Sequence, residues 1–332
     1  MTDAARPLAP ERRSVNPFDL LARYGTVLAL VLLILFNLAF TPNFATLQTL
    51  NVNLTQVCTI VIVAVGMTLV IATGGIDLSV GSLMAISGAL APMIFMSKLF
   101  PIANIYLAVA LAIILAVGVA TLLGLFNGWL IARFRIQPII ATLVLFIAGR
   151  GIAQVMTNGQ LQTFRVPEFQ FIGLGRVLGI PFQVIVMAVL VALAAWIIRK
   201  TVFGRQILAI GGNERASGLS GIAVKQVKLA VYAISGFCAG IAGLVVIAIN
   251  SSSDANLVGL GMELDAIAAV AVGGTLLSGG RASIVGTLLG ALTIQLVRYT
   301  LLANGVPDTA AQIAQAVIIV LAVWVQGRGK NA

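Results

Sequence analysis

Apolar residues along this chain come in long unbroken runs rather than at the spacing of half-buried helices or strands. The runs extend from Tyr24 to Phe40, Thr55 to Thr73, Ser79 to Phe95, Ile102 to Phe126, Pro138 to Thr157, Phe182 to Ile198, Leu229 to Ile249, Leu264 to Leu277, Ile284 to Leu302 and Ala310 to Val325. Most approach the roughly 20 residues that a helix needs to cross a hydrocarbon core of about 30 Å. A backbone immersed in lipid must satisfy its own N–H and C=O groups, and a helix does so within one segment. The pattern therefore predicts an all-α, polytopic transmembrane helical bundle of about ten spans. Two places break the rhythm: Leu264 to Leu277 is short for a full crossing, and the junction from Thr73 to Ser79 leaves almost no loop. Broken or re-entrant segments are expected there.

Composition strengthens this reading. Of 332 residues, 60% are hydrophobic and 9% charged, against about 25% charged in a soluble domain. The net charge of +10 would suggest nucleic acid if the chain were soluble. Here the basic residues lie between apolar runs, so the expected surroundings are membrane lipid, with no nucleic-acid partner. Threading the runs alternately puts fifteen of the Lys and Arg residues on the side of the N-terminus and three (Lys98, Arg165, Arg176) opposite, with Arg150 and Arg298 in or beside spans. Positive charge favours the cytoplasmic side, so both termini are expected there. Tyr24, Trp129, Trp196, Tyr232 and Trp324 fall near the proposed cytoplasmic ends, and Tyr106 and Tyr299 near the external ones, as interface aromatics do. The division that follows is a tail over 1–23, a membrane domain over 24–325 containing a cytoplasmic segment at 203–228, and a tail over 326–332. The first run is too long for a signal peptide and many spans follow it, so an uncleaved first helix is expected.

Histidine is absent, and the two cysteines, Cys58 and Cys238, lie inside apolar runs. Neither a metal site nor a disulfide framework is expected. No G-x-x-x-x-G-K-[ST] phosphate loop is present, so the chain is not expected to hydrolyse nucleotide itself. No catalytic residues and no bound cofactor are assigned to it.

An internal echo carries more information. Gly74-Gly75-Ile76-Asp77-Leu78-Ser79-Val80-Gly81 and Gly273-Gly274-Thr275-Leu276-Leu277-Ser278-Gly279-Gly280 both read GG-x-x-L-S-x-G. In each, an apolar run meets paired glycines that release the helix, and the serine is placed to cap the next one. Irregular backbone at membrane depth survives where it is buried in protein or lines a watery path; a tight turn between neighbouring helices is the alternative. Thr73, Gly74, Gly75, Asp77, Ser79, Gly273, Gly274 and Thr275 are the candidate path or gating residues. Asp77 is an acid between adjacent spans, open either to a part in the path or to a helix-start role. Glu263 and Asp265 read as helix-start carboxylates. Alternate threading gives both echo copies one orientation, whereas an inverted repeat would oppose them, so either the echo is no true repeat or 264–277 is re-entrant.

The segment 203–228 carries helix punctuation: Asn213 as N-cap, Glu214 in the first turn, Leu219 and Ile222 three apart. A short amphipathic helix along the membrane, suited to a cytoplasmic partner, is one reading, and a solvated loop the other. Glycines four apart at Gly124/Gly128, Gly236/Gly240 and Gly286/Gly290 permit close helix approach.

The stretch from Gly66 to Ser82, reading GMTLVIATGGIDLSVGS, resembles the signature of ribose-type ABC permeases. Gly211-Gly212-Asn213-Glu214 with Leu219-Ser220-Gly221-Ile222, and Glu263 to Ala268 followed by Gly273-Gly274-Thr275, are similar to that family's cytoplasmic loop and late segment. The similarity runs from about Leu54 to Val325. Ile136-Gln137-Pro138, Gly149-Arg150-Gly151, Asn158-Gly159-Gln160 and Asp254-Ala255-Asn256 look closer to galactofuranose-type members. The resemblance implies a bacterial inner-membrane importer of a monosaccharide. It also implies two permease copies or paralogues forming the pore, a periplasmic or lipid-anchored sugar-binding protein, and two ABC ATPase subunits holding ATP and Mg. It assigns ATPase coupling to Gly211, Gly212, Asn213, Glu214, Leu219, Gly221 and Ile222. An ion-coupled secondary transporter, disfavoured by the scarcity of intramembrane acids, and a passive channel are the alternative classes.

Overall fold

A computed structural model describes residues 17–97, 99, 101–307, 309–313, 316–317 and 320. Its elements are α1 (Pro17–Phe40), α2 (Leu47–Ala72), α3 (Val80–Phe95), α4 (Ile105–Phe134), α5 (Pro138–Thr157), β1 (Gln162–Thr163), α6 (Pro167–Leu174), β2 (Arg176–Val177), β3 (Ile180–Pro181), α7 (Phe182–Lys200), α8 (Val202–Gly212), α9 (Glu214–Leu219), α10 (Val224–Asn250), β4 (Ser252–Ser253), α11 (Met262–Val272) and α12 (Ile284–Ala303). The chain is helical, as its pattern demands; β1 pairs with β4 and β2 with β3 in two-residue antiparallel ladders. Among the described residues six helices, α2, α4, α5, α7, α10 and α12, are long and apolar enough to cross a membrane, and α3 and residues 25–40 of α1 are shorter apolar helices. The run from Ala310 to Val325, Lys98, Trp324 and both tails fall wholly or mostly outside the described residues.

α2 is the axis. Its residues from Val57 to Ala72 are all buried, enclosed by α7, α8, α10, α11 and α12. α4 lies against α10 through the glycines singled out in the sequence. A Cβ on Gly124 or Gly236 would strike backbone of the opposite helix, and Gly128 and Gly240 stand equally close to Leu229 and Val117. With no side chain between them the two backbones touch, which is how helices gain contact in lipid without a hydrophobic driving force. Gly286 and Gly290 do the same between α12 and α11, against Gly273 and Ala269. The outward faces of α4, α5 and α7 are apolar: Ile114 is 66% exposed, Leu122 63% and Ile147 66%. So continuous an apolar surface marks a membrane-facing exterior.

Three expectations change. The helix expected from Thr55 starts eight residues earlier, at Leu47, where Thr46 caps it by accepting from the Thr49 amide at 3.2 Å. The span expected over Leu264 to Leu277 is the eleven-residue α11, about 16 Å at 1.5 Å per residue and so about half a crossing. Irregular chain over 254–261 precedes it, with Gly259 against Gly81 at the start of α3. Tyr232, expected at the interface, is 1% exposed. Gly75 and Gly128, lacking side chains, make room for its ring, and its hydroxyl donates to Ile76 O at 3.4 Å.

Candidate translocation and coupling site

The two glycine echoes end their helices identically. After α2, Gly74 (φ 81°) donates to Ile71 O at 2.8 Å and Gly75 to Val70 O at 3.2 Å; after α11, Gly274 (φ 79°) donates to Ala271 O at 2.9 Å and Thr275 to Val270 O at 3.2 Å. Each is a Schellman stop, with the left-handed residue supplied by glycine. The structural register, Gly74 with Gly274, is one residue out of step with the sequence echo, Gly74 with Gly273. Beyond the stops the copies diverge: Ser79 leads directly into α3, whereas α12 is capped by Ser283, whose Oγ accepts from Gly286 N at 3.1 Å. Ser278 lies in the turn between the second stop and Ser283. The echo is therefore two like helix stops, not an aligned repeat.

The stops are brought together. Gly280 N donates to Ala72 O at 3.0 Å, joining the loop after α11 to the end of α2. Gly211, near the end of α8, closes onto both: a Cβ there would run into Ala72 O and Gly280 N. The C-terminal ends of α2, α8 and α11 thus share one glycine-lined junction at one end of the bundle. Both echo copies lie at that same end, the orientation given by alternate threading.

Asp77 lies just beyond the first stop and is fully buried. Its Oδ1 accepts from Ser79 N at 3.0 Å and Ser79 Oγ at 2.6 Å, and its Oδ2 from Ser235 Oγ at 2.7 Å. Asn127 Nδ2 donates to Ser79 Oγ at 2.9 Å. Nearby, Leu78 N donates to Thr142 Oγ1 at 3.1 Å. This node ties the α2–α3 junction to α4, α5 and α10. Ser235 is eleven residues, about 16 Å, into α10, and both carboxylate oxygens are occupied, which meets the cost of burying this group. Asp77 thus accepts at the cap residue of α3, Ser79, and also reaches across to α10 through Ser235. Asn127, Thr142 and Ser235 were not singled out from the sequence, although polar residues inside apolar runs are the signal that marks them. Glu263 and Asp265 do stand in the first turn of α11.

The cytoplasmic-segment candidates form a protrusion beside the junction. α8 buries Gly204, Ile207 and Ile210, three apart on one face, and it is the amphipathic helix of this region. Asn213 Oδ1 then accepts from Ala216 N at 3.0 Å to start α9, and Gly221 (φ 86°) ends it, with Gly221 N donating to Gly218 O and Ile222 N to Ser217 O, both at 3.1 Å. Leu219 and Ile222 do not share a face. Leu219 is 92% exposed, whereas Ile222, beyond the helix end, packs on the core. Glu214 Oε2 accepts from Lys228 Nζ at 2.7 Å. Gly212 is exposed with open space around it.

Two of the sequence motifs also meet. Arg150 of α5 donates to Ala255 O at 3.0 Å and to Val258 O, and Gln154 Nε2 donates to Asn256 Oδ1 at 2.8 Å. They anchor the irregular segment before α11 against α5, with Ala255 and Val258 buried, and Arg150 satisfies carbonyls that lipid would leave unpaired.

A lipid-faced helical bundle with half-length helices and irregular chain anchored against it defines a membrane permease. The chain belongs to the family described as branched-chain amino acid transport system / permease component, which matches residues 50–323. It is 44% identical over 308 residues to the ribose import permease protein RbsC of Escherichia coli (strain K12), covering 91% of this chain and 93% of that one. It is 42% identical over 276 residues to the galactofuranose transporter permease protein YtfT of the same organism, covering 83% and 78%. To the fructose import permease protein FruF of Bifidobacterium longum (strain NCC 2705) it is 40% identical over 263 residues, covering 78% and 72%. No solved structure matches the chain. It is a multi-pass membrane protein and a transport-system permease subunit rather than a catalytic enzyme.

Proposed function

We propose that this chain is the permease subunit of an ABC importer that moves a monosaccharide, a pentose or hexose, across the bacterial inner membrane. The single observation that carries the reading is the similarity, over 78% to 91% of this chain, to import permeases named for ribose, galactofuranose and fructose. In this reading two copies, or one copy and a paralogue, enclose the path. A periplasmic or lipid-anchored binding protein delivers the sugar, and ATP and Mg are held by a separate ATPase. Both termini are cytoplasmic, about ten spans make up the membrane domain over 24–325, and 203–228 is the coupling segment.

The glycine junction suggests how work is transmitted. The exposed face of α9, with Asn213, Glu214 and Leu219, meets the ATPase; Gly221 and Ile222 anchor its far end. Movement of α9 passes through Gly211 and Gly212 to Ala72 and Gly280, and so to the stops at Thr73, Gly74, Gly75, Gly273, Gly274 and Thr275. Asp77 and Ser79 keep the α2–α3 junction rigid enough to transmit it. The gating assignment of these residues rests on their position, since Gly280 and Gly211 both lie against Ala72.

The test is reconstitution in vesicles with candidate ATPase and binding protein, measuring uptake of labelled pentoses and hexoses. ATP-dependent uptake is expected; uptake that persists unchanged without the ATPase would support a channel or a secondary transporter instead.

A further inference from the structure

The polar residues at the start of α2 were absorbed neither by the sequence reading nor by the junction. Gln48, Asn51, Thr55 and Gln56 stand at spacings of three, seven and eight residues, one face of the helix, and with Arg176 they line a cleft of about 540 Å³. That size lies within the 300–1,000 Å³ typical of small-molecule sites. Two buried amides back the cleft. Gln183 of α7, 1% exposed, donates from Nε2 to Thr55 Oγ1 at 3.0 Å, while its Oε1 is buried without a partner. Gln295 of α12, 4% exposed, donates to Gln56 Oε1 at 2.6 Å.

Placement separates this cluster from an ordinary polar helix end. Gln56 is nine residues into α2, about 13 Å, and Gln295 eight residues before the end of α12, about 12 Å, so both lie well within their helices. Three helices bring amide and hydroxyl groups there, beside the apolar side chains of Val52 and Ile249 and the Arg176 guanidinium at the rim. Amides and hydroxyls both donate and accept, and apolar side chains pack against C–H faces, a combination that suits a solute bearing many hydroxyls on a carbon ring.

We propose that this face of α2, backed by Gln183 and Gln295, is the wall against which the sugar's hydroxyls pass at the end of the bundle opposite the glycine junction. The proposal rests on the sugar-importer reading above. It is tested in vesicles holding the full importer. Asn51→Leu and Gln56→Leu should each lower ATP-dependent sugar uptake about tenfold, as one or two lost hydrogen bonds would, while ATP hydrolysis stimulated by the binding protein persists. A second measurement does not depend on transport. Asn51→Cys should react with a membrane-impermeant maleimide, since both native cysteines are buried, and sugar-loaded binding protein should slow that reaction. Wild-type uptake with both leucine variants unchanged, or Asn51→Cys labelling indifferent to the sugar-loaded binding protein, overturns the proposal alone. No ATP-dependent sugar uptake by the wild type overturns the importer reading, and this proposal with it.

Discussion

Replacing Gly211 by alanine adds one methyl group at the place where three chain segments touch. The new Cβ would overlap Ala72 O and Gly280 N, both backbone atoms, so no rotamer change relieves the clash. Either α8 moves away or the loop after α11 does. Overpacking of this kind costs about 1–3 kcal/mol, and separating Gly280 N from Ala72 O adds about 1–3 kcal/mol for a buried hydrogen bond lost. The expected destabilisation is about 2–6 kcal/mol. Gly212→Ala is the matched control, because a Cβ there meets nothing within 4 Å. The assay is thermal unfolding of the purified permease together with uptake and ATP hydrolysis of the reconstituted importer. Gly211→Ala should unfold several degrees earlier and carry less sugar per ATP, since α8 would no longer bear on α2. If Gly211→Ala and Gly212→Ala unfold alike and transport alike, the junction does not transmit force and the reasoning fails.

Asp77→Leu should be more damaging than any surface change, about 3 kcal/mol or more, because it strips Ser79 and Ser235 of their buried acceptor; a variant that unfolds at the wild-type temperature would contradict the bracing role. Gly236→Val should break the α4–α10 contact and abolish folded yield, whereas Gly118→Val, with open space around it, should leave yield intact, as chromatography in detergent would show. Leu219→Asp should leave thermal stability unchanged, the side chain being 92% exposed, yet prevent co-purification with the ATPase. Glu214→Gln should change stability by no more than about 1 kcal/mol, because its carboxylate is solvent-exposed although Lys228 is mostly covered; a larger shift would mean that its bond to Lys228 holds the segment together.

The pattern of apolar runs was enough to establish a membrane-embedded helical protein, because the requirement for about 20 apolar residues per crossing is written directly into the chain. Helix stops were also legible: Gly74 and Gly274 adopt positive φ, and Asn213 caps α9, all consequences of local backbone preference. The glycine pairs at Gly124/Gly128 and Gly236/Gly240 were legible as contact surfaces, though not which faced which. Distance along the chain hid the rest. Ala72, Gly211 and Gly280 are far apart in sequence and meet only when α2, α8 and α11 pack; Asp77 acquires Ser235 and, through Ser79, Asn127 the same way. Tyr232 carries the residue type of an interface aromatic and is buried because Gly75 and Gly128 leave it space. α11 is short because the chain before it is held by Arg150 of another helix. Local stereochemistry and solvent preference are properties of the sequence itself, whereas the partner of each buried polar group is decided by the packing of helices, which only the tertiary structure contains.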